Sequence, residues 1–151
     1  MRNQQDHHQA PRHDRRAADG GVAATRSALP AVHAARHLLL TTFRRDGSPV
    51  PTPVWFVPDG DDLWIVTTAG SGKVKRLRAD DRVELAACTR LGRPRSAPVR
   101  GTARVLGADE AQVQGQALAD RYGWQARFFQ WQNRRKGLPM TAILVSPDRE
   151  G

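Results

Sequence analysis

The chain contains very little cysteine and no long apolar segment. Cys88 is the single cysteine among 151 residues, so no internal disulfide and no cysteine-based metal site can form. It lies inside an apolar run, where we expect a small core residue. No apolar stretch approaches the ~20 residues of a membrane-spanning helix, and the N-terminus lacks the apolar region of a signal peptide. We therefore expect a soluble, cytoplasmic protein.

Lysine is also scarce, although the chain is strongly basic. The 24 lysines and arginines stand against 15 acidic residues and give a formal net charge of +9. Only Lys73, Lys75 and Lys136 are lysines. An arginine-rich composition can follow from GC-rich coding, so the total charge alone is weak support for a nucleic-acid partner. The placement of Lys73 and Lys75 within three residues of each other is more informative.

The first 27 residues differ in composition from the rest. Residues 1–27 are polar, contain Gly20-Gly21 and show no hydrophobic periodicity, so we expect a disordered N-terminal tail. The histidines of this tail cannot hold a fixed geometry, and we predict no metal site. Residues 28–148 are expected to form one domain, which is long enough to bury a sizeable core.

Apolar and alternating stretches predict several short strands. They cover residues 37–43, 48–57, 62–68, 82–88, 97–106 and 141–146. Asp46-Gly47 and Asp59-Gly60 predict hairpin turns between the first three of them. The second strand carries Pro49, Pro51 and Pro53, so it cannot be paired with neighbours on both sides.

Helical patterns occupy the connections. They cover residues 27–36, 71–80, 108–122 and 124–136. In the third of these helices we expect Val113, Ala117 and Leu118 to point inward. Hairpin-linked strands with helices between them predict an α+β fold that is built on a small antiparallel barrel.

The last helical segment is both aromatic and basic. Trp124, Phe128 and Trp131 recur near helical spacing, which is more typical of core or dimer packing than of a substrate pocket. The surrounding basic residues are Arg121, Arg127, Arg134, Arg135 and Lys136. This combination leaves open a protein of another class, a nucleic-acid-binding β-barrel.

The stretch after the third strand has the character of a phosphate site. Ser71 can cap the following helix, and the free N–H groups of its first turn point outward at the positive end of the helix dipole. Gly70 and Gly72 allow an anion to approach the backbone. Lys73 adds a full charge at the same place. A strand–turn–helix junction with a solvated basic helix is the alternative interpretation.

A Walker A loop does not explain this stretch. That motif has a glycine five residues before its Gly-Lys pair and a Ser or Thr after it. Gly72-Lys73 is present, but Thr67 occupies the position of the first glycine and Val74 that of the hydroxyl residue. We therefore do not expect a nucleotide triphosphatase.

Three segments carry a resemblance through their order and spacing: residues 38–47 (LLLTTFRRDG), 51–57 (PTPVWFV) and 67–77 (TTAGSGKVKRL). Together they resemble the split β-barrel flavin-binding family that includes pyridoxamine 5′-phosphate oxidase, and more narrowly its deazaflavin (F-420)-dependent oxidoreductase branch. The resemblance spans about residues 30–146. It implies an antiparallel, Greek-key-like split β-barrel of the FMN-binding type with peripheral helices.

The resemblance also implies where a cofactor would lie. The residues expected beside its tricyclic ring are Thr52, Pro53, Val54 and Trp55. Thr67 and Thr68 would end the third strand near the ribityl chain and phosphate. Ser71, Gly72 and Lys73 would hold the phosphate, with Lys75 and Arg76 as further charges. In this family the site lies across the interface of a homodimer.

Two departures favour the deazaflavin branch over the oxidase proper. Gly72 stands where the oxidase has a basic residue, and residues 50–57 contain no basic residue. Deazaflavin F-420 carries a longer and more anionic tail than FMN. The arginines that could contact this tail are Arg90, Arg93, Arg95 and Arg100.

The implied activity is hydride transfer between the deazaflavin and an unidentified small molecule. The cofactor then carries the chemistry, and we assign no catalytic side chain. Tyr122 could donate a proton near a substrate, but a core or interface tyrosine is the simpler interpretation. An FMN-binding protein like pyridoxamine 5′-phosphate oxidase and a non-enzymatic cofactor carrier remain as alternatives.

Overall fold

The computed structural model describes residues 28–148. The expected tail, residues 1–27, lies outside the described residues. The helices are α1 (28–34), α2 (Gly72–Ala79), α3 (Ala108–Tyr122) and α4 (Trp124–Arg135). The strands are β1 (His37–Phe43), β2 (Pro49–Val54), β3 (Val57–Asp59), β4 (Asp62–Thr68), β5 (Arg82–Cys88), β6 (Val99–Val105) and β7 (Met140–Pro147).

The strands form one antiparallel seven-stranded sheet in the order β2-β1-β5-β6-β7-β4-β3. The two outer strands, β2 and β3, are consecutive in the chain and are joined only by Trp55 and Phe56. A two-residue connection can link the two edges only if the sheet curls on itself. The sheet is therefore a half-barrel with helices around it, which confirms the predicted α+β fold class.

The prediction of one continuous strand over residues 48–57 is wrong. The segment forms two strands, because β2 pairs with β1 through Phe43↔Pro49 to Leu38↔Val54, whereas β3 pairs with β4 through Val57↔Trp64. The chain crosses from one edge of the sheet to the other at Trp55-Phe56. The expectation that the prolines prevent pairing on both sides is confirmed, since β2 is an edge strand.

The core lies inside the curl. Alternate residues of β1 and β4 point inward, and Leu38, Leu40, Leu63 and Ile65 are fully buried there. Helix α2 adds the buried side chains of Val74 and Leu77 and packs against β1 and β6. This packing fixes the start of α2 against one end of the sheet.

The buried stripe of α3 differs from the predicted one. Its buried residues are Ala111, Gly115, Leu118, Ala119 and Tyr122, spaced by three or four residues. Leu118 is inward as expected and Ala117 is partly buried, but Val113 is 65% exposed. Two residues after Ala111, Val113 is turned by about 200° around the helix and faces away from the sheet.

Tyr122 joins α3 to the bend between β2 and β3. Its hydroxyl lies 3.2 Å from Phe56 N and 3.1 Å from Phe56 O, and it donates to Arg36 O at 2.9 Å. Phe56 is fully buried, so its backbone groups cannot be satisfied by bulk water. Tyr122 therefore has a structural role.

Cys88, on β5, is buried, as the sequence predicts.

No helix within residues 28–148 is long and apolar enough to cross a membrane.

Candidate cofactor site

The start of α2 has the geometry expected of an anion site. Ser71 is the N-cap, with φ −66° and ψ 156°, and its Oγ accepts a hydrogen bond from Val74 N at 3.4 Å. Ser71 N in turn donates to Thr68 O at 3.1 Å, which holds the cap against the end of β4. The first turn of α2 contains no acidic residue that would neutralise the helix dipole.

Arg76 folds back over this turn. A Cβ placed on Gly72 would lie 2.8 Å from Arg76 Nη1, so the guanidinium occupies the space that a side chain would take. Helical side chains tilt toward the N-terminus and cover the residue four positions earlier, which explains why Arg76 reaches Gly72. We call Ser71, Gly72, Lys73 and Arg76 the α2 anion site.

A residue of β1 fixes the position of Arg76. Arg76 Nε donates a 2.7 Å hydrogen bond to Thr42 Oγ1, and the Thr42 side chain is fully buried. The spacing of Gly72 and Arg76 was visible in the sequence, but this contact joins residues 34 positions apart and had no sequence signal. Thr42 therefore enters the site only through the fold.

Lys73 is a partly buried cation beside a second cation. Burial lowers the pKa of Lys73 below its usual value, and the charge of Arg76 lowers it further. Among residues 28–148, the ion pair within 4 Å is Arg82–Asp80, which involves neither residue. Two neighbouring positive charges without a carboxylate partner in the described part of the chain favour an anionic ligand.

The strand predicted to run beside the ring lies at the sheet edge. Thr52 and Val54 are paired with Leu40 and Leu38 of β1, so they share the inner face, whereas Pro53 is exposed. Prolines at alternate positions lack N–H groups, an arrangement that suits an edge strand whose donors all point toward β1. The free edge would then offer carbonyl acceptors to a bound ring.

Trp55 stands at the end of β2 and packs against the helices. Its ring stacks on Tyr122 with centroids 5.3 Å apart and meets the edge of Phe129 at 6.1 Å. Trp55 therefore connects β2 to α3 and α4. Exposed aromatic rings continue from Phe129 along α4, where Trp124 is 74% exposed.

Thr67 and Thr68, which were predicted to lie near the ribityl chain and phosphate, are on opposite faces of β4. Thr67 is buried on the inner face opposite Thr141, whereas Thr68 is half-buried on the outer face opposite Met140. Thr68 lies directly beside the cap through its bond to Ser71. The fold thus brings Thr68 to the α2 anion site and directs Thr67 toward the core.

The four arginines predicted to contact a cofactor tail do not all lie in the same segment of the structure. Arg90, Arg93 and Arg95 lie on the connection between β5 and β6, and all are exposed. A Cβ on Gly92, in the same connection, would lie 3.6 Å from Pro53, so this turn packs against β2. Arg100 lies further along β6, opposite Glu84.

Comparison with known proteins gives the family. The model of the pyridoxamine 5′-phosphate oxidase family matches residues 25–149, and the chain belongs to this family. A search of curated proteins finds no match.

Solved structures share the split β-barrel fold. Rv2991, a conserved hypothetical protein from Mycobacterium tuberculosis, is 24% identical, with a TM-score of 0.59 over 78% of this chain and 76% of its own. An F420 reductase is 20% identical, with a TM-score of 0.55 over 82% and 92%. HutZ, the heme storage protein from Vibrio cholerae, is 11% identical, with a TM-score of 0.59 over 79% and 86%. At these identities the similarity establishes the fold alone.

Proposed function

We propose that this protein is a deazaflavin-dependent oxidoreductase that transfers a hydride between cofactor F-420 and a small molecule. The observation that carries the proposal is the α2 anion site, where a capped helix start, a glycine and two cations meet next to the end of β4 and the buried Thr42 of β1. The family of the chain and its structural similarity to an F420 reductase support a flavin-type cofactor.

The phosphate of the cofactor would bind at the α2 anion site. Ser71 fixes the helix start, and Gly72 has no side chain, so the Arg76 guanidinium can lie close to the backbone there. Lys73 and Arg76 supply positive charge from two sides, and Thr42 keeps Arg76 in place before the ligand arrives. A preordered site loses less side-chain entropy on binding, which raises affinity.

The ring of the cofactor would lie along β2. Pro53 offers its carbonyl group as an acceptor at the free edge, Thr52 and Val54 flank it in the strand, and Trp55 closes one end through its stack on Tyr122. Thr68 approaches from the outer face of β4, whereas Thr67 faces the core. The bound deazaflavin supplies the hydride chemistry, while these residues orient it and exclude water from one face.

The charge distribution favours deazaflavin over FMN. Strand β2 has no basic residue to hold a compact flavin phosphate, and the basic side chains that follow the α2 anion site suit a longer anionic tail. FMN remains the second candidate because the family model is that of pyridoxamine 5′-phosphate oxidase.

We also propose a homodimer with the site at its interface. Large apolar side chains of α4 are exposed on the single chain: Trp124 by 74%, Phe128 by 53%, and Phe129 and Trp131 by 49% each. The rings of Phe128 and Trp131 are in contact, with centroids 6.0 Å apart, and exposed aromatic side chains of this kind are typical of a protein interface. Phe129 contacts Trp55, so one of these exposed rings lies next to the strand proposed to hold the cofactor ring.

A fluorescence titration with F-420 and, separately, with FMN tests the proposal. Bound cofactor should quench Trp55, and a Trp55→Phe variant identifies the part of the signal that comes from this residue. Tighter binding of F-420 supports the oxidoreductase, whereas tighter binding of FMN supports the second candidate. If neither binds, and salt-sensitive binding to single-stranded RNA is found instead, the nucleic-acid alternative replaces both.

A further inference from the structure

A second basic feature lies on the other side of Arg76. The end of β1, the turn that follows it and the outer face of α2 border an open surface pocket of ≈ 270 Å³. Its lining residues are Phe43, Arg44, Arg45, Lys75, Arg76 and Ala79. We call it the β1–α2 pocket. Four of its six lining residues are cationic, and none carries a carboxylate.

The acidic residues nearest in sequence are bonded elsewhere. Asp46 Oδ1 accepts hydrogen bonds from Ser48 N at 2.9 Å and Ser48 Oγ at 2.6 Å. Asp80 forms an ion pair with Arg82 at 2.8 Å. The pKa of Asp46 is lowered chiefly by its hydrogen bonds to Ser48 and also by the charge of Arg44. Within residues 28–148, however, neither carboxylate forms an ion pair with a pocket cation, so most of the positive charge of the β1–α2 pocket is left for a ligand to balance.

One cation of the pocket is held in place. The hydrogen bond from Arg76 Nε to the buried Thr42 Oγ1 fixes this guanidinium at the boundary between the β1–α2 pocket and the α2 anion site. An anionic group in the pocket would thus be adjacent to an anion at the helix start. Phe43 supplies an apolar wall, with the Arg82 guanidinium 5.4 Å from its ring centroid.

We propose that the β1–α2 pocket binds a polyanionic group that carries two or more phosphates or carboxylates. Its volume is below the usual range for drug-sized ligands, which favours a short chain of anionic groups over a nucleotide. Such a group can belong to the tail of the cofactor, which rests on the proposed function, or to a separate small polyanion.

Inorganic tripolyphosphate is the first probe, because its binding requires no cofactor. The Arg45→Ala/Lys75→Ala double variant removes two pocket charges and leaves Arg76, which both sites share. We expect it to bind tripolyphosphate about tenfold more weakly in calorimetry, since charge-assisted contacts are lost. The Arg78→Ala/Arg104→Ala double variant is the matched control: it removes two exposed charges outside the pocket and should change affinity less than about twofold.

The same variants distinguish the two sources of the polyanion. If the pocket variant also weakens F-420 binding and leaves FMN binding unchanged, the occupant is the cofactor tail. If it weakens tripolyphosphate binding alone, the occupant is a separate polyanion, and this result stands even if F-420 does not bind. Equal effects of the pocket and control variants on tripolyphosphate, or no effect of either, would overturn the proposal.

Discussion

Arg76 and Thr42 are 34 residues apart in the chain, yet Arg76 Nε lies 2.7 Å from Thr42 Oγ1. The acceptor is fully buried in the sheet, so it gives the flexible arginine a fixed point of attachment. The guanidinium is thereby kept beside Gly72 at the start of α2. This contact converts a surface arginine into part of the α2 anion site, and several predictions depend on it.

Gly72→Ala should weaken cofactor binding without unfolding the protein. The new methyl group would meet Arg76 Nη1 at 2.8 Å, and the arginine must move away because it is the flexible partner. Alanine favours a helix over glycine by up to ~1 kcal/mol, so the free energy of unfolding should be unchanged or slightly higher. We expect about tenfold weaker F-420 binding by calorimetry.

Gly70→Ala is the matched control for that substitution. Gly70 does not have a positive φ, and a Cβ there would have no neighbour within 4 Å. We expect its affinity for F-420 to fall less than that of the Gly72→Ala variant, because the new methyl group displaces no side chain. Equal affinities of the two variants would mean that the position of Arg76 does not matter for binding.

Thr42→Val should release Arg76 while it preserves the shape of the core. Valine fills the same space but cannot accept the hydrogen bond, so the guanidinium loses its anchor. A hydrogen bond to a charged group is worth about 1.5–3 kcal/mol, and we expect F-420 affinity to fall by about threefold to tenfold because water replaces part of that bond. Thr42→Ser retains the hydroxyl and should retain most of the affinity; a Ser variant as weak as the Val variant argues against the anchor.

Lys73→Met should stabilise the free protein near neutral pH and weaken its binding of the cofactor. The pKa of Lys73 is lowered in the folded state, chiefly by burial and then by Arg76. The unfolded chain therefore binds the proton more tightly, so the charge costs stability at neutral pH and the cost disappears as the pH rises toward 10.5. Urea unfolding from pH 7 to pH 10.5 should show the gain of the variant shrinking with pH. A gain that is constant over this range contradicts the role of the charge.

Tyr122→Phe should destabilise the fold through the bend at Phe56. The ring and its contacts with Trp55 and Arg121 remain, but the hydroxyl bonds to Phe56 and Arg36 are lost. Leaving buried backbone groups unsatisfied costs about 1–3 kcal/mol, which should be seen as a lower urea midpoint. Ser48→Ala, which removes an exposed hydroxyl bond, should change stability by less than ~1 kcal/mol. Equal midpoints for the two variants would refute the structural role of Tyr122.

Local chemistry made much of this architecture predictable. Gly47 and Gly60 adopt positive φ in the predicted hairpin turns, Ser71 caps α2, and the prolines of residues 49–53 mark an edge strand. Each of these features depends on the residue itself and its immediate neighbours. For the same reason β1, β4 and β5 have the predicted bounds.

Where a feature depends on distant parts of the chain, the prediction from the sequence was wrong or was not made. The interruption at Trp55-Phe56 arises because β2 and β3 pair with different strands, which no local pattern encodes. Val113 was expected inward because it is apolar, but the sheet covers the opposite face of α3. Thr42 joins the candidate site only because β1 passes beneath α2.

The most direct test of the central claim is the dissociation constant of F-420 for the wild type and for the Ser71→Ala/Lys73→Ala double variant. Both changes remove contacts at the start of α2, so binding should weaken by at least ~2 kcal/mol, or about thirtyfold. Arg104→Ala removes one exposed charge from β6 and should leave the affinity unchanged. Wild-type affinity in the double variant would contradict the assignment of the α2 anion site to the cofactor phosphate.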